Sequence, residues 1–224
     1  MEEMAQVKPA SQAAISIRRA VADDAKEIWA WRNDARTRAM SMTSGVVSWE
    51  AHAEWYRASL QDDNLYLYVG CFDGDRRKIG MCRFDVDPER ALAEVSINLD
   101  PAMRGLSLSH RLLAAAIGVF RAERRVDLAA TIRKQNAASV RCVTRCGFVL
   151  EDENAECGYY RLPAHPRARL GPPGIDQQDA GRLEIRGVSG GDRQPVDKSG
   201  RRDECVSTCA GVGNMECRRA AGDL

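Results

Sequence analysis

The sequence lacks any hydrophobic stretch long enough to cross a membrane. Its longest apolar run, Leu112–Phe120, is nine residues, against the ~20 that a spanning helix needs. It also lacks a dominant charge. Its 33 basic and 32 acidic side chains leave a net +1, which excludes a strongly basic nucleic-acid binder and a polyanionic tail. The N-terminus, Met-Glu-Glu-Met-Ala-Gln, has neither the basic region nor the apolar region of a secretory signal. A soluble, cytoplasmic protein is expected, with no nucleic-acid or membrane partner.

Aromatics are missing from the last quarter. All 13 Phe, Trp and Tyr precede Arg161, whereas residues 167–224 hold 10 of the 18 glycines. A segment with so little to bury cannot offset its ordering entropy. The expected organisation is a disordered lead-in over 1–13, one folded domain over 14–166, and a low-order Gly/Arg-rich tail over 167–224. A fourth zinc ligand is missing too. Cys205, Cys209 and Cys217 in the tail have no further Cys or His nearby, so no metal is expected there. The domain's own five cysteines (71, 82, 142, 146 and 157) are odd in number and scattered over strands and helices, which suits free thiols.

What is present is a regular alternation of strand and helix patterns. Ile15 and Ile17 mark a first strand, and Val21, Ala25, Ile28 and Arg32 share one helical face. Ala35–Val47 shows no period and reads as a loop. Ser48 caps a second helix whose expected core stripe is Trp49, Ala53, Tyr56 and Leu60. Asn64–Cys71, Lys78–Val86 and Ala91–Leu99 form a meander of strands. In the last of these, Ala93, Val95, Ile97 and Leu99 point one way, and Glu94, Ser96 and Asn98 the other. Leu108–Arg124 is the longest helix, with Leu108, Leu112, Ala115 and Val119 as its stripe, flanked by Leu113, Ile117 and Phe120. Asp127–Ile132, the helix Ala137–Arg145 with its Gly147 stop, and strands at Phe148–Leu150 and Gly158–Leu162 close the domain. The fold class is α+β (mixed α/β).

The sharpest local feature is Leu99-Asp-Pro-Ala-Met-Arg104-Gly105-Leu106-Ser107-Leu108-Ser109, where a strand ends and the long helix begins. The first turn of a helix leaves N–H groups unpaired, and its dipole adds positive charge there. A phosphate fits such a site, and Arg104 adds a formal charge beside it. Plain capping of the helix by Ser107 competes with that reading on equal terms.

With its element order, this loop resembles that of the GCN5-related N-acetyltransferase (GNAT) family over roughly residues 14–164. The family pattern is Arg/Gln-x-x-Gly-x-Gly/Ala, with backbone amides holding the coenzyme A pyrophosphate. Arg104 matches, and Ser107 and Ser109 replace the later glycines. If position 107 needs a positive φ, serine there costs about 1 kcal/mol or more. A second match, Asn136-Ala-Ala-Ser139 followed by Gly147-Phe148, looks like the family's N-x-x-[AS]-x7-G-F signature. It also reads as an Asn-capped helix with a glycine stop.

The resemblance implies a central, twisted, mostly antiparallel sheet with helices on both faces. It implies acetyl-CoA as co-substrate, no metal, and cofactor contacts from Ile97, Leu99, Arg104, Gly105, Leu106, Ser107, Leu108, Ser109, Asn136 and Ser139. The family's usual tyrosine acid falls at Val143, so that acid is missing. Tyr160 is the substitute carried forward, and Glu94 is the proposed general base. Cys142 and Cys146 offer a competing acyl-cysteine route, with direct transfer favoured.

All four tryptophans lie within Trp29–Trp55. Trp29, Trp49 and Tyr56 are expected in the core. Trp31, Arg32, Asn33, His52 and Trp55, with Arg83, are expected on the acceptor side, because aromatics beside arginines suit a sugar face next to a diphosphate. These residues resemble the branch that acetylates the 4-amino group of nucleotide-linked amino-deoxysugars, as in the pseudaminic acid pathway. A ribosomal-protein-type N-terminal peptide acetyltransferase and a catalytically weak acyl-CoA-binding module stay open beside it, as does a homodimer.

Overall fold

The computed structural model describes residues 13–165. All of the expected 1–13 lead-in except Ala13, together with the tail over 167–224 and its three cysteines, lies outside the described residues. Seven strands form one sheet: β1 (Ile15–Arg19), β2 (Leu65–Phe72), β3 (Lys78–Asp87), β4 (Leu92–Leu99), β5 (Asp127–Arg133), β6 (Val149–Glu153) and β7 (Cys157–Leu162). Their order across the sheet is β1-β2-β3-β4-β5-β7-β6. Every neighbouring pair is antiparallel except β4 and β5, which run parallel. The helices are α1 (Ala25–Asn33), α2 (Ala35–Met40), α3 (Trp49–Ser59), α4 (Ser109–Glu123) and α5 (Ala137–Arg145). This is the expected mixed α+β architecture.

β2 shows why helices cover both faces. Seven of its eight residues are buried. Tyr66 and Tyr68 enter the core under α4, while Leu67, Val69 and Cys71 join Ile28, Trp31 and Tyr56 under α1 and α3. A strand with no polar alternation has no face left for water.

The buried face of α4 is Leu112, Leu113, Ala116, Ile117 and Phe120. The expected stripe is rotated: Ala115 and Val119 turn outward, and Val119 is 37% exposed. The larger ring sets the rotation. Phe120 stacks on Phe84 at 4.4 Å and meets Tyr66 edge-on at 5.1 Å. Gly70 and Gly80 are cross-strand partners and leave a dimple under Leu112. A Cβ at Gly70 would collide with one Leu112 methyl, and one at Gly80 would collide with the β4 main chain at Asn98 O and Leu99 Cα and lie 3.2 Å from the other methyl.

Two elements differ from expectation. Residues 35–40 form α2 rather than loop, capped by Asp34, whose carboxylate accepts from Thr37 N. No residue of α2 is buried, so it carries no hydrophobic period to read. In α3 the buried residues are His52, Tyr56 and Ser59: of the expected stripe Tyr56 is in the core, Trp49 and Ala53 are half-buried, and Leu60 is exposed. The His52 ring stacks on Tyr56 at 5.7 Å.

A buried ion pair ties the start of α1 to the sheet. Asp24 is 1% exposed and accepts from Arg18 at 2.7 and 2.8 Å and from Val21 N at 2.9 Å. Lys78 Nζ lies 2.9 Å away. Burial pushes the Asp24 carboxyl up, but these donors outweigh it and hold it below the usual carboxylate range.

Candidate active site

β4 and β5 pair only over Leu92–Glu94 and Asp127–Ala129. Beyond that point they part, and a cleft of about 490 Å³ opens between them. On its other edge β4 stays paired to β3, with Ile97 opposite Cys82 and Leu99 opposite Gly80. The cleft edge of β4 therefore presents main-chain groups that a ligand can bond like an added strand. Ile97 and Leu99 both line the cleft.

At the end of β4 the chain passes through the turn Pro101–Met103 and the loop Arg104–Leu108 into α4. Gly105 has φ 77° and Ser107 φ 56°. The left-handed conformation at Ser107 costs about 1–2 kcal/mol for a residue with a Cβ, and such strain collects at working sites. No side chain of the described residues caps α4, so capping by Ser107 does not occur. The helix presents its first N–H groups without side-chain partners.

Of the predicted loop residues, Arg104, Gly105 and Ser109 line the cleft. Leu106 and Ser107 are exposed, and Leu108 is a core residue at 1% exposure, so the two leucines have only main chain to offer a polar ligand. Asn136 and Ser139 line the cleft from α5. Asn136 also caps that helix, accepting from Ser139 N at 3.2 Å, and Gly147 ends it at φ 91°. Capping and cleft lining hold together.

Glu94 sits where the strands begin to part. Burial pushes its carboxyl up to about 7, with Asp85 adding to the rise while the Thr131 hydroxyl and Arg83 oppose it. Glu94 does not line the cleft itself. Thr131 does, and it favours the charged form of Glu94. Alternation along β5 puts Thr131 on this face, and only the register of β5 against β4 could have identified it. Tyr160 faces the other way, packs against the α4–α5 core and lies outside the cleft lining. Its β7 neighbour Tyr159 accepts from Asn154 Nδ2 at 2.9 Å. Val143 lines the cleft with no hydroxyl. Hydrogen bonding to Cys146 and burial push the Cys142 thiol up, which keeps it protonated and a poor nucleophile. The five described cysteines are all unbridged.

On the acceptor side the structure brings together Arg32, His52, Trp55 and Arg83. Arg83 bonds Asp85 at 2.8 Å and lies over the Trp55 ring at 5.5 Å. Trp31 and Asn33 do not join them. Trp31 is buried with Ile28 and Tyr56, because the α1 face turned to the sheet carries it. Asn33 spends its amide on Val47, accepting from N at 2.9 Å and donating to O at 2.8 Å. Trp29 is half-buried and bonds Val47 O at 2.8 Å, and Trp49 packs edge-on against it at 5.8 Å.

His52 is fully buried, and its Nε2 faces Ala25 O at 3.0 Å. A carbonyl only accepts, so Nε2 carries the proton and Nδ1 is an acceptor with no partner among the described residues. Burial pushes the His52 ring down, which keeps it neutral. Arg32 is 7% exposed; its Nη2 donates to Thr43 O at 2.8 Å, but Nη1 has no partner among the described residues. Among the described residues no cluster of three or more His, Cys, Asp or Glu could hold a metal, and no helix is long and apolar enough to cross a membrane.

No curated protein matches the chain. Solved structures do. A spermidine N-acetyltransferase from Vibrio cholerae, in complex with CoA and spermine, is 16% identical with TM-score 0.59, over 66% of this chain and 94% of that one. An N-acetyltransferase from Staphylococcus aureus Mu50 is 21% identical with TM-score 0.57, over 68% of this chain and all of that one. A domain from Methanocaldococcus jannaschii DSM 2661 gives TM-score 0.58 at 17% identity, over 67% and 99%. At such identities these share the fold. The family description "Acetyltransferase (GNAT) domain" matches residues 15–149, more than half of the sequence. A match over that span settles the family: the chain belongs to the GNAT acetyltransferases and is an acetyl-CoA-dependent N-acetyltransferase.

Proposed function

We propose that the acceptor is a primary amine on an anionic small molecule, the 4-amino group of a nucleotide-linked amino-deoxysugar. One observation carries this reading: Arg32 is buried in the acceptor wall with Nη1 unpartnered among the described residues. A buried guanidinium without a counter-ion is costly, and a phosphate of the acceptor relieves that cost. The described cleft lining adds Arg36, Arg83 and Arg133 and holds no carboxylate. Such a wall disfavours a polycation like the spermine bound by the Vibrio cholerae relative. Trp55 and His52 Nδ1 give the sugar a stacking face and a hydrogen-bond acceptor.

The residues present fit the coenzyme. The cleft edge of β4 would offer main-chain bonds to the pantetheine, and Arg104, the Gly105–Ser109 backbone and Asn136 would hold the pyrophosphate. Acetyl-CoA supplies the activated acetyl thioester. A β4 main-chain N–H polarises the thioester oxygen as charge develops on it. An alkyl ammonium has a pKa of about 10 and must lose a proton before its nitrogen can attack. Glu94, raised to about 7, takes that proton through the Thr131 hydroxyl, which accepts one proton as it passes its own on. The nitrogen then bonds to the acetyl carbon and gives its second proton to solvent, the carbon–sulfur bond breaks, and the thiolate leaves. With Val143 where the family's acid stands, that thiolate takes its proton from solvent.

The test offers acetyl-CoA with a UDP-4-amino-4,6-dideoxysugar, a peptide and spermidine, and follows product mass. Acetylated sugar supports the reading. Acetylated peptide or spermidine with untouched sugar overturns it. Coenzyme binding without turnover on any of the three points instead to the acyl-CoA-binding module.

A further inference from the structure

Residues 34–47 cover the acceptor end of the cleft, which Thr37, Met40 and Met42 line. Burial does not hold this segment down, since its helix α2 has no buried residue. Polar clamps do. Arg32 reaches Thr43 O at 2.8 Å, and Arg133 of β5 reaches Met42 O at 3.0 Å. A segment held by exchangeable bonds over little apolar contact opens at low cost.

One further clamp comes from the coenzyme loop. Arg104 Nη2 lies 2.7 Å from Asp34 Oδ2 and donates to Thr37 Oγ1 at 2.7 Å. The Thr37 hydroxyl in turn lies 3.3 Å from Asn98 Oδ1 on β4. The hydrogen bond from Arg104, joined by the Thr37 N–H, holds the Asp34 carboxyl below the usual carboxylate range, so the pair is ionised at any working pH. Arg104 is thus committed to an internal anion beside the helix N-terminus where an external one is expected.

The geometry points to a latch: Asp34 stands in for the coenzyme pyrophosphate on Arg104 and, through Thr37, pins α2 over the acceptor cleft until the coenzyme takes Arg104 away. This rests on reading the Arg104–Ser109 loop as the pyrophosphate site. Linkage makes the effect reciprocal: whatever the Asp34 pair costs coenzyme binding, coenzyme binding returns as loosening of α2. The pair is about one-quarter exposed on each side, so the coupling is modest.

Asp34→Asn tests it, because asparagine caps a helix as well as aspartate does while losing the charge. By calorimetry the variant binds coenzyme A about two- to fivefold tighter than wild type. In hydrogen–deuterium exchange, amides 35–47 exchange faster when coenzyme A is added to wild type and are already fast in the variant. Saturating pantetheine, which has no phosphate, leaves wild-type exchange there unchanged. Unchanged or weaker coenzyme A binding by the variant overturns the latch, as does exchange over 35–47 that ignores coenzyme A or responds equally to pantetheine. Arg104→Gln separates the two readings. If it binds coenzyme A like wild type, the pyrophosphate assignment fails. If it binds weakly while Asp34→Asn gains nothing, the latch alone fails.

Discussion

The two faces of the sheet are built from different materials. Under α4 and α5, 21 buried residues form one apolar cluster; under α1 and α3 the cluster has eight. Yet the buried polar residues described, Asp24, Arg32, His52, Ser59 and Arg83, belong to the α1–α3 side and its supports. The α4 face spends its interior on apolar packing. The acceptor face accepts buried, incompletely satisfied side chains, which are costly unliganded and selective once a ligand completes them.

Mutations should therefore fail differently on the two faces. The largest effect on stability is expected from Leu112→Ala on the apolar side. It opens a cavity over the Gly70–Gly80 dimple and costs about 3–5 kcal/mol, read as a lower midpoint in urea. At the seam between the faces, Glu94→Gln is expected to lower kcat by about 10²–10³-fold with the urea midpoint kept. Wild-type activity should rise with pH through about 7, because the carboxylate form, populated above that pKa, is the base. The glutamine variant loses this limb. Thr131→Val moves the limb upward, since Thr131 favours the charged form of Glu94, and lowers kcat by removing the relay hydroxyl; an unchanged kcat would rule out the relay. Arg32→Met, on the polar side, is expected to raise acceptor KM by about 10- to 100-fold while leaving stability unchanged or improved, as removal of an unpaired buried charge allows. A stability loss with unchanged KM would make Arg32 a structural residue and erase the contrast. The smallest effect is Ser107→Gly, which relieves the positive φ and adds about 1 kcal/mol with coenzyme affinity kept.

The same contrast governs how much could be read from the sequence. The meander, α4 and α5 were legible because alternation and helical period record burial directly, and the Ser107 conformation followed from where glycine is usual in the loop. The acceptor face was legible only in part. His52 and Arg32 could be picked out by type, but Trp31 was lost to the core, since a tryptophan on an amphipathic helix looks alike on either side of the wall. α2 was missed because it buries nothing. Thr131 and Asp34 act through register and through partners 37 and 70 positions away in the chain, Glu94 and Arg104, and no local pattern encodes such pairs.

The dimple beneath Leu112 acts as a ruler. A helix on a smooth sheet can slide along its axis, and a slip of one residue is about 1.5 Å. Leu112, three residues into α4, is seated against a glycine pair that admits it and would crowd any larger neighbour. That seat fixes how far the open end of α4 stands from the parting of β4 and β5. A slip of α4 would move its open end relative to the cleft edge of β4, where Gly80 is paired to Leu99, so the two glycines help set the spacing that a bound coenzyme would have to match.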